Sequence, residues 1–297
     1  MSIKPQNEFY ITAPSNVAST KVNTPADFTT ELPCELELAG DWEAALIETH
    51  YFNEWPNFEA CQLLMHLKTI TPNATANEDF DIRWAEGLIE DTERAAKITS
   101  GIHSGFKMTI SKGYYAEVKD VLEYIRREWQ IRMGAVELGY EVDSYSGRVK
   151  FTIQERGKAS TEFILSIVSK SDYFATHMGF DSSPMLLFGS DTWHSMKTSG
   201  VGARRALLND IHSIYVYSDV IDYQIVGNTR ATLMGVIPVT GKHRQQQAWQ
   251  FNPLQYISVS KKSVSSIQLQ LCTPQGDPIP FMSGDTLCRL HFRRKIL

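Results

Sequence analysis

Alternation of apolar and polar positions is cleanest in the last third of the chain. Ile214 and Val216 alternate with Ser213, Tyr215 and Tyr217; Ile267, Leu269 and Leu271 alternate with Gln268 and Gln270; Cys288, Leu290 and Phe292 alternate with Arg289 and His291. A period of two sends one set of side chains to a buried face of a strand and the other to the opposite face. The beginning of the chain carries the same type of signal. Residues 8–12 are rich in β-formers and stop at Pro14 and Asn16. Residues 27–32 read as a short strand closed by Pro33, and residues 42–49 as a strand after a Gly40-Asp41 turn, although their Ala and Glu content also suits a helix. The apolar run from Cys61 to Ile70 suits a strand buried on both faces. The core expected from these patterns comprises Ile11, Leu46, Ile214, Val216, Ile267, Leu269, Leu271, Leu290 and Phe292.

The middle of the chain has a different period. Over residues 114–130 the apolar positions Val118, Val121, Leu122, Ile125 and Trp129 recur at helical spacing, bounded by Gly113 and Gly134. Strands are predicted over 137–142 and 148–154, joined through Ser144-Tyr145-Ser146-Gly147, and over 161–168. Residues 172–178 read as a short helix with Ser171 or Asp172 as N-cap and Gly179 at its end. Pro274-Gln275-Gly276-Asp277-Pro278 places Pro and Gly for a type I turn. Residues 200–202 and 240–248 read as flexible loops. The order β, then α+β, then β gives a mainly β fold: one sandwich made by residues 1–78 and 203–297, with residues 79–202 inserted as an α+β module.

Composition narrows the class. The chain has 297 residues, 42% hydrophobic and 21% charged, a balance that fills a real core. With a formal net charge of −5, no global basic field draws it onto nucleic acid, so such contact would need a local patch. The N-terminus lacks an apolar run resembling a signal peptide, and no stretch approaches the ~20 apolar residues of a membrane helix. The expectation is cytosolic synthesis with reduced thiols. Cys34, Cys61, Cys272 and Cys288 are then small buried hydrophobes rather than disulfides or zinc ligands, and the Asn73 sequon is unused.

Candidate chemistry is sparse. The nucleophile elbow, Walker loop, dinucleotide fingerprint and paired-histidine metalloprotease motif are all missing, so the chain is read as non-enzymatic, with no cofactor and no metal. Asp191, His194 and Ser195 are near in sequence, which says little about a triad assembled by folding. His50 with Cys61 would make a thiol-protease pair but reads better as two strand residues. Glu78, Asp79 and Asp81 read as a solvated acidic loop rather than a cation cage. Two basic spots, Lys242 with Arg244 and Arg293-Arg294-Lys295, are candidate contacts for nucleic acid or an acidic partner. Tyr215, Tyr217 and Tyr223 are candidate subunit-interface residues, because tyrosine on the outer face of a strand is the type enriched at protein interfaces.

Five blocks in order carry a resemblance. They are residues 8–16 (Glu-Phe-Tyr-Ile-Thr-Ala-Pro-Ser-Asn), residues 38–48 around Gly40-Asp41-Trp42, Gly113-Tyr114-Tyr115, residues 217–227 from Tyr217 to Gly227, and Leu290-His291-Phe292-Arg293. Together they resemble the penton (minor capsid) proteins of Polinton/Maverick elements, adintoviruses and related virophages. The chain departs from that pattern at Glu54-Trp55-Pro56-Asn57, where a Trp-Tyr pair is expected. The resemblance implies a single jelly roll and a homopentamer at the five-fold vertices of a virion, beside trimers of a double-jelly-roll major capsid protein. It also implies synthesis in the host cytosol and assembly in cytoplasm or nucleus. The rival reading from the residues is a carbohydrate- or receptor-binding β-sandwich that uses the inserted module for recognition.

Overall fold

The computed structural model describes residues 2–5, 7–19, 22–70, 98–100, 103–134, 136–155, 162–169, 173–180, 185–189, 202, 204–208 and 211–295. The chain divides into two compact units, Met1–Pro56 with Asp210–Leu297, and Asn57–Asn209.

The first unit is a jelly roll. Its strands are β1 (Ser2–Ile3), β2 (Glu8–Pro14), β3 (Asp27–Glu37), β4 (Trp42–Phe52), β12 (Ser213–Ser218), β13 (Gln224–Val226), β14 (Thr229–Ala231), β15 (Leu233–Pro238), β16 (Gln246–Gln250), β17 (Ile257–Ser258), β18 (Ser263–Cys272) and β19 (Leu287–Arg294). One sheet runs β16-β4-β19-β2, the other β1-β3-β18-β12-β15, and β13 with β14 forms a hairpin. Along the chain, β2, β4, β16 and β19 fall in the first sheet while β3, β12, β15 and β18 fall in the second. Two antiparallel sheets of four exchanging in this order are the jelly-roll arrangement. Between them lies one core in which all nine residues expected from the alternation are buried. Phe9 stacks on Phe292 with ring centroids 4.9 Å apart, which joins β2 to β19.

Several strands depart from the sequence reading. β4 is a strand throughout, and its small residues are explained by packing, since Ala44 and Ala45 are fully buried. β3 does not stop at Pro33 but continues to Glu37. Its register with β18 shifts opposite this stretch, and an irregularity is where a strand tolerates a residue without an N–H. The segment read as a loop over 240–248 contains the start of β16, which pairs with β4 while Trp249 packs on the core. At the predicted turn, Gly276 N–H donates to the Thr273 carbonyl, 2.9 Å away.

The second unit holds β5 (Cys61–Ile70), β6 (Ile98–Ser100), β7 (His103–Ile110), α1 (Val118–Arg132), β8 (Val136–Val142), β9 (Val149–Glu155), β10 (Glu162–Ser169), α2 (Tyr173–His177) and β11 (Met185–Gly189). The sheet order is β11-β10-β5-β7-β6, with β8-β9 as a separate hairpin. Helix α1 buries Val121, Leu122, Ile125 and Trp129, the stripe expected from the periodicity, and starts four residues later than the pattern alone suggests. Its first turn is set by the Glu117 N–H donating to the Asp120 carboxylate at 2.9 Å. The Trp129 indole N–H donates to the Val136 carbonyl at 2.7 Å, tying the helix to β8.

The inserted unit is larger at both ends than 79–202. β5 pairs with β7 and β10, not with jelly-roll strands, because the chain is redirected at Asn57–Phe58, which bonds to the Gly113 carbonyl. At the other end Arg204 and Leu207 donate backbone N–H groups to Gly179 and His177, so residues 204–208 belong to this unit. The Asn73 sequon, the Glu78, Asp79 and Asp81 cluster, the Asp191, His194 and Ser195 group and the Ser171 or Asp172 cap lie outside the described residues.

Candidate interaction surfaces

Tyr215 and Tyr217 stand on the outer face of β12, between β18 and β15, while Ile214 and Val216 fill the core. Both tyrosines are half-buried in their sheet. Tyr215 lies opposite Val236 and Cys272, and Tyr217 opposite Leu233 and Gln270. Burial pushes the Tyr217 phenol above its ordinary range, with Cys272 and Tyr215 adding to the effect. Tyr223 is of another kind. It precedes the β13–β14 hairpin and is 74% exposed, and Ile225 on the hairpin is 83% exposed. Tyr217 and Tyr223 wall one cleft of about 230 Å³, shared with Thr232, Ser260, Gln268 and Gln270. Tyr215 is not part of it. A second depression, of about 400 Å³, continues along β18 past Ser265 and Ser266 to Thr29, and the two share Asp219 and Gln268.

The basic residues do not form one patch. Arg293-Arg294-Lys295 lies where β19 meets the start of β4, with Arg294 paired to Trp42 in register and the Lys295 N–H donating to the Asp41 carbonyl at 2.8 Å. Lys242 and Arg244 lie at the other end of β4, where the Arg244 N–H donates to the Asn53 carbonyl and the Asn53 amide to the Lys242 carbonyl. The eleven residues of β4 separate them, about 30–35 Å at ~3.3 Å per residue. Two of the five charges are already matched. Arg293 pairs with Glu43 at 2.5 Å and covers the Tyr256 ring, and Arg244 pairs with Glu54 at 2.7 Å. Glu54 also accepts from the Ser283 hydroxyl, and together these bonds hold its carboxyl below the usual range.

Cys61 of the His50–Cys61 pair lacks the environment of an activated thiol. His50 sits on β4, 3.8 Å from Glu48. Cys61 is buried in the second unit, and that burial pushes its thiol up to about 12, the reverse of an activated nucleophile. Among the described residues no group of His, Cys, Asp and Glu is arranged to hold a metal ion, and no helix is long and apolar enough to cross a membrane.

One cluster escaped the sequence reading. On the outer face of the β16-β4-β19-β2 sheet, His291 is buried between two tyrosines. Tyr10 stacks on it at 4.5 Å, and the Tyr256 hydroxyl is hydrogen-bonded to Nδ1 at 2.8 Å. Its Nε2 faces the Glu8 carboxylate at 3.4 Å, off the line of a hydrogen bond. The alternation of residues 288–292 puts His291 on this face, but its partners come from segments 35 and more residues away, β2 and the residue before β17.

No protein-family model matches the chain, and no curated protein does. Among solved structures, the crystal structure of the selenomethionine-labelled mavirus penton protein is similar. It has 10% sequence identity over 97% of this chain and 99% of that one, at a TM-score of 0.46.

Proposed function

We propose that this protein is a structural capsid subunit, a penton whose five copies close a ring at an icosahedral vertex beside trimers of a double-jelly-roll major capsid protein. One observation carries the reading. Three of the blocks that resemble penton proteins are far apart in sequence, yet residues 8–16, 38–48 and 290–293 contribute to three neighbouring strands, β2, β4 and β19, of a single jelly-roll sheet. Segments whose shared order carries the resemblance thus assemble into one structural element of the fold that the resemblance implies. The role is mechanical: a closed sandwich offers rigid flanks, and a head-to-tail contact between flanks closes into a ring when its rotation matches the symmetry.

The experiment is the mass of the purified protein by light scattering across a concentration and salt series, followed by mixing with the major capsid trimers. Particles of five times the 33.6 kDa protomer mass support the reading. A stable trimer, or a monomer that neither closes into rings nor joins the trimers, refutes it.

A further inference from the structure

The two depressions along β18 form one polar groove on the outer face of the β3-β18-β12-β15 sheet, and its chemistry does not depend on the capsid reading. We propose that this groove binds a neutral carbohydrate, with Tyr223 as the stacking platform and Gln268 and Gln270 as the hydrogen-bonding floor.

The argument starts from what the walls offer. Thr232, Ser265 and Ser266 present hydroxyls able to donate and accept, Ser260, whose hydroxyl donates to the Val220 carbonyl at 3.3 Å, presents an acceptor, and the two glutamines present amides with both functions. A ligand that matches such a lining carries many hydroxyls of its own. The glutamines are held in place beforehand. A single carboxylate, Asp27, receives the side-chain N–H groups of Gln268 at 2.8 Å and Gln270 at 3.2 Å. Both amide planes are therefore set before a ligand arrives, which lowers the ordering cost of binding.

Charge selects the class. Asp219 accepts from the Lys261 ammonium at 2.5 Å and from the Gln268 backbone N–H at 2.8 Å, so it is occupied and poorly placed to capture a cation. With Asp219 matched by Lys261, the Asp27 carboxylate beside the glutamines leaves this stretch of the groove negative, which opposes an anion such as a phosphate or a sialic acid. What remains is a neutral polyhydroxyl compound. The exposed Tyr223 ring suits the apolar face of a pyranose, a contact that gains from burying C–H surface against an aromatic ring. Volumes of about 400 and 230 Å³ lie within or close to the ~300–1,000 Å³ range of small-molecule sites.

Saturation-transfer NMR on the full chain tests this, with lactose, maltotriose and chitotriose as neutral probes and sialyllactose as the anionic one. Transfer to at least one neutral sugar at millimolar concentration is expected, and none to sialyllactose. Tyr223→Ala and Gln270→Ala should each weaken that binding about fivefold or more. Asp27→Ala, which frees the glutamines without removing a groove wall, should weaken it less than Tyr223→Ala. A thermal melt of each variant separates loss of a contact from loss of the fold. The proposal falls if no neutral sugar shows transfer, if sialyllactose is preferred, or if folded Tyr223→Ala and Gln270→Ala proteins bind as the parent does.

Discussion

Replacing Leu269 with alanine probes the register on which the jelly-roll core rests. Leu269 is fully buried in β18, opposite Phe28 on β3 and Ser218 on β12. The change removes three carbon atoms, worth about 2.4 kcal/mol at ~0.8 kcal/mol per buried methylene. The cavity left between two sheets adds to this, and buried leucine-to-alanine changes cost about 2–5 kcal/mol in all. A loss of about 3 kcal/mol is expected here, against a total stability of order 5–15 kcal/mol for a domain. At roughly 2–4 °C per kcal/mol for a unit of this size, the melting point should fall by about 6–12 °C. Scanning calorimetry and urea titration measure it, with Gln270→Ala as the partner experiment. Gln270 is one residue away on the exposed face, so its truncation should stay within about 0.5 kcal/mol. Leu269→Asp, which buries an unpaired carboxylate, should abolish soluble folding. Equal losses for the two alanine variants, or a well-folded Leu269→Asp protein, would refute the register, because a slip of one residue exchanges the two faces.

Two further outcomes follow from the titrating groups. Glu54, whose carboxyl is held below its usual value of 4.5 by Ser283 and Arg244, stabilises the folded state when ionised. That contribution is complete above the ordinary glutamate range and is lost as pH falls through and below it, so the gap in urea midpoint between the parent and Glu54→Gln should narrow from pH 7 towards pH 3. A gap that widens on acidification would contradict the assignment. Burial pushes the thiols of Cys61 and Cys288 up to about 12, and Cys34 is the one cysteine that is not buried. Iodoacetamide at neutral pH should therefore label Cys34 first and reach Cys61 and Cys288 only after denaturation, as mass spectrometry of the labelled peptides would report.

Some elements were legible because their signals are local. At 214–217, 267–271 and 288–292 apolar residues fall on every second position, and the strands put them inside. Helix α1 was readable for the same reason at period 3.6. β16 was not, since Gln246-Gln247-Ala248 has no apolar alternation and owes its strand form to the ladder with β4. Nor were the limits of the insertion, because Cys61–Ile70 has the composition of a buried strand in either unit. Its partners β7 and β10 decide the matter. Of the candidate site residues, the outward setting of Tyr215 and Tyr217 was visible in the alternation. The meeting of Tyr217 and Tyr223 with Gln268 and Gln270 depends on the pairing of β12 with β18, about fifty residues apart.

By itself, then, the sequence determined which face of each strand is apolar, where the long helix lies, and that both ends of the chain are β while its middle is mixed. Those properties are set within a few residues by the geometry of one strand or one helix. The tertiary structure alone decided which strands are neighbours, that the two basic segments sit at opposite ends of β4, and that a groove and a buried histidine occupy the outer faces of the two sheets. Neighbours are fixed by hydrogen-bond registers between distant segments and by the packing of two sheets on one core, and neither is written in the local period of side chains.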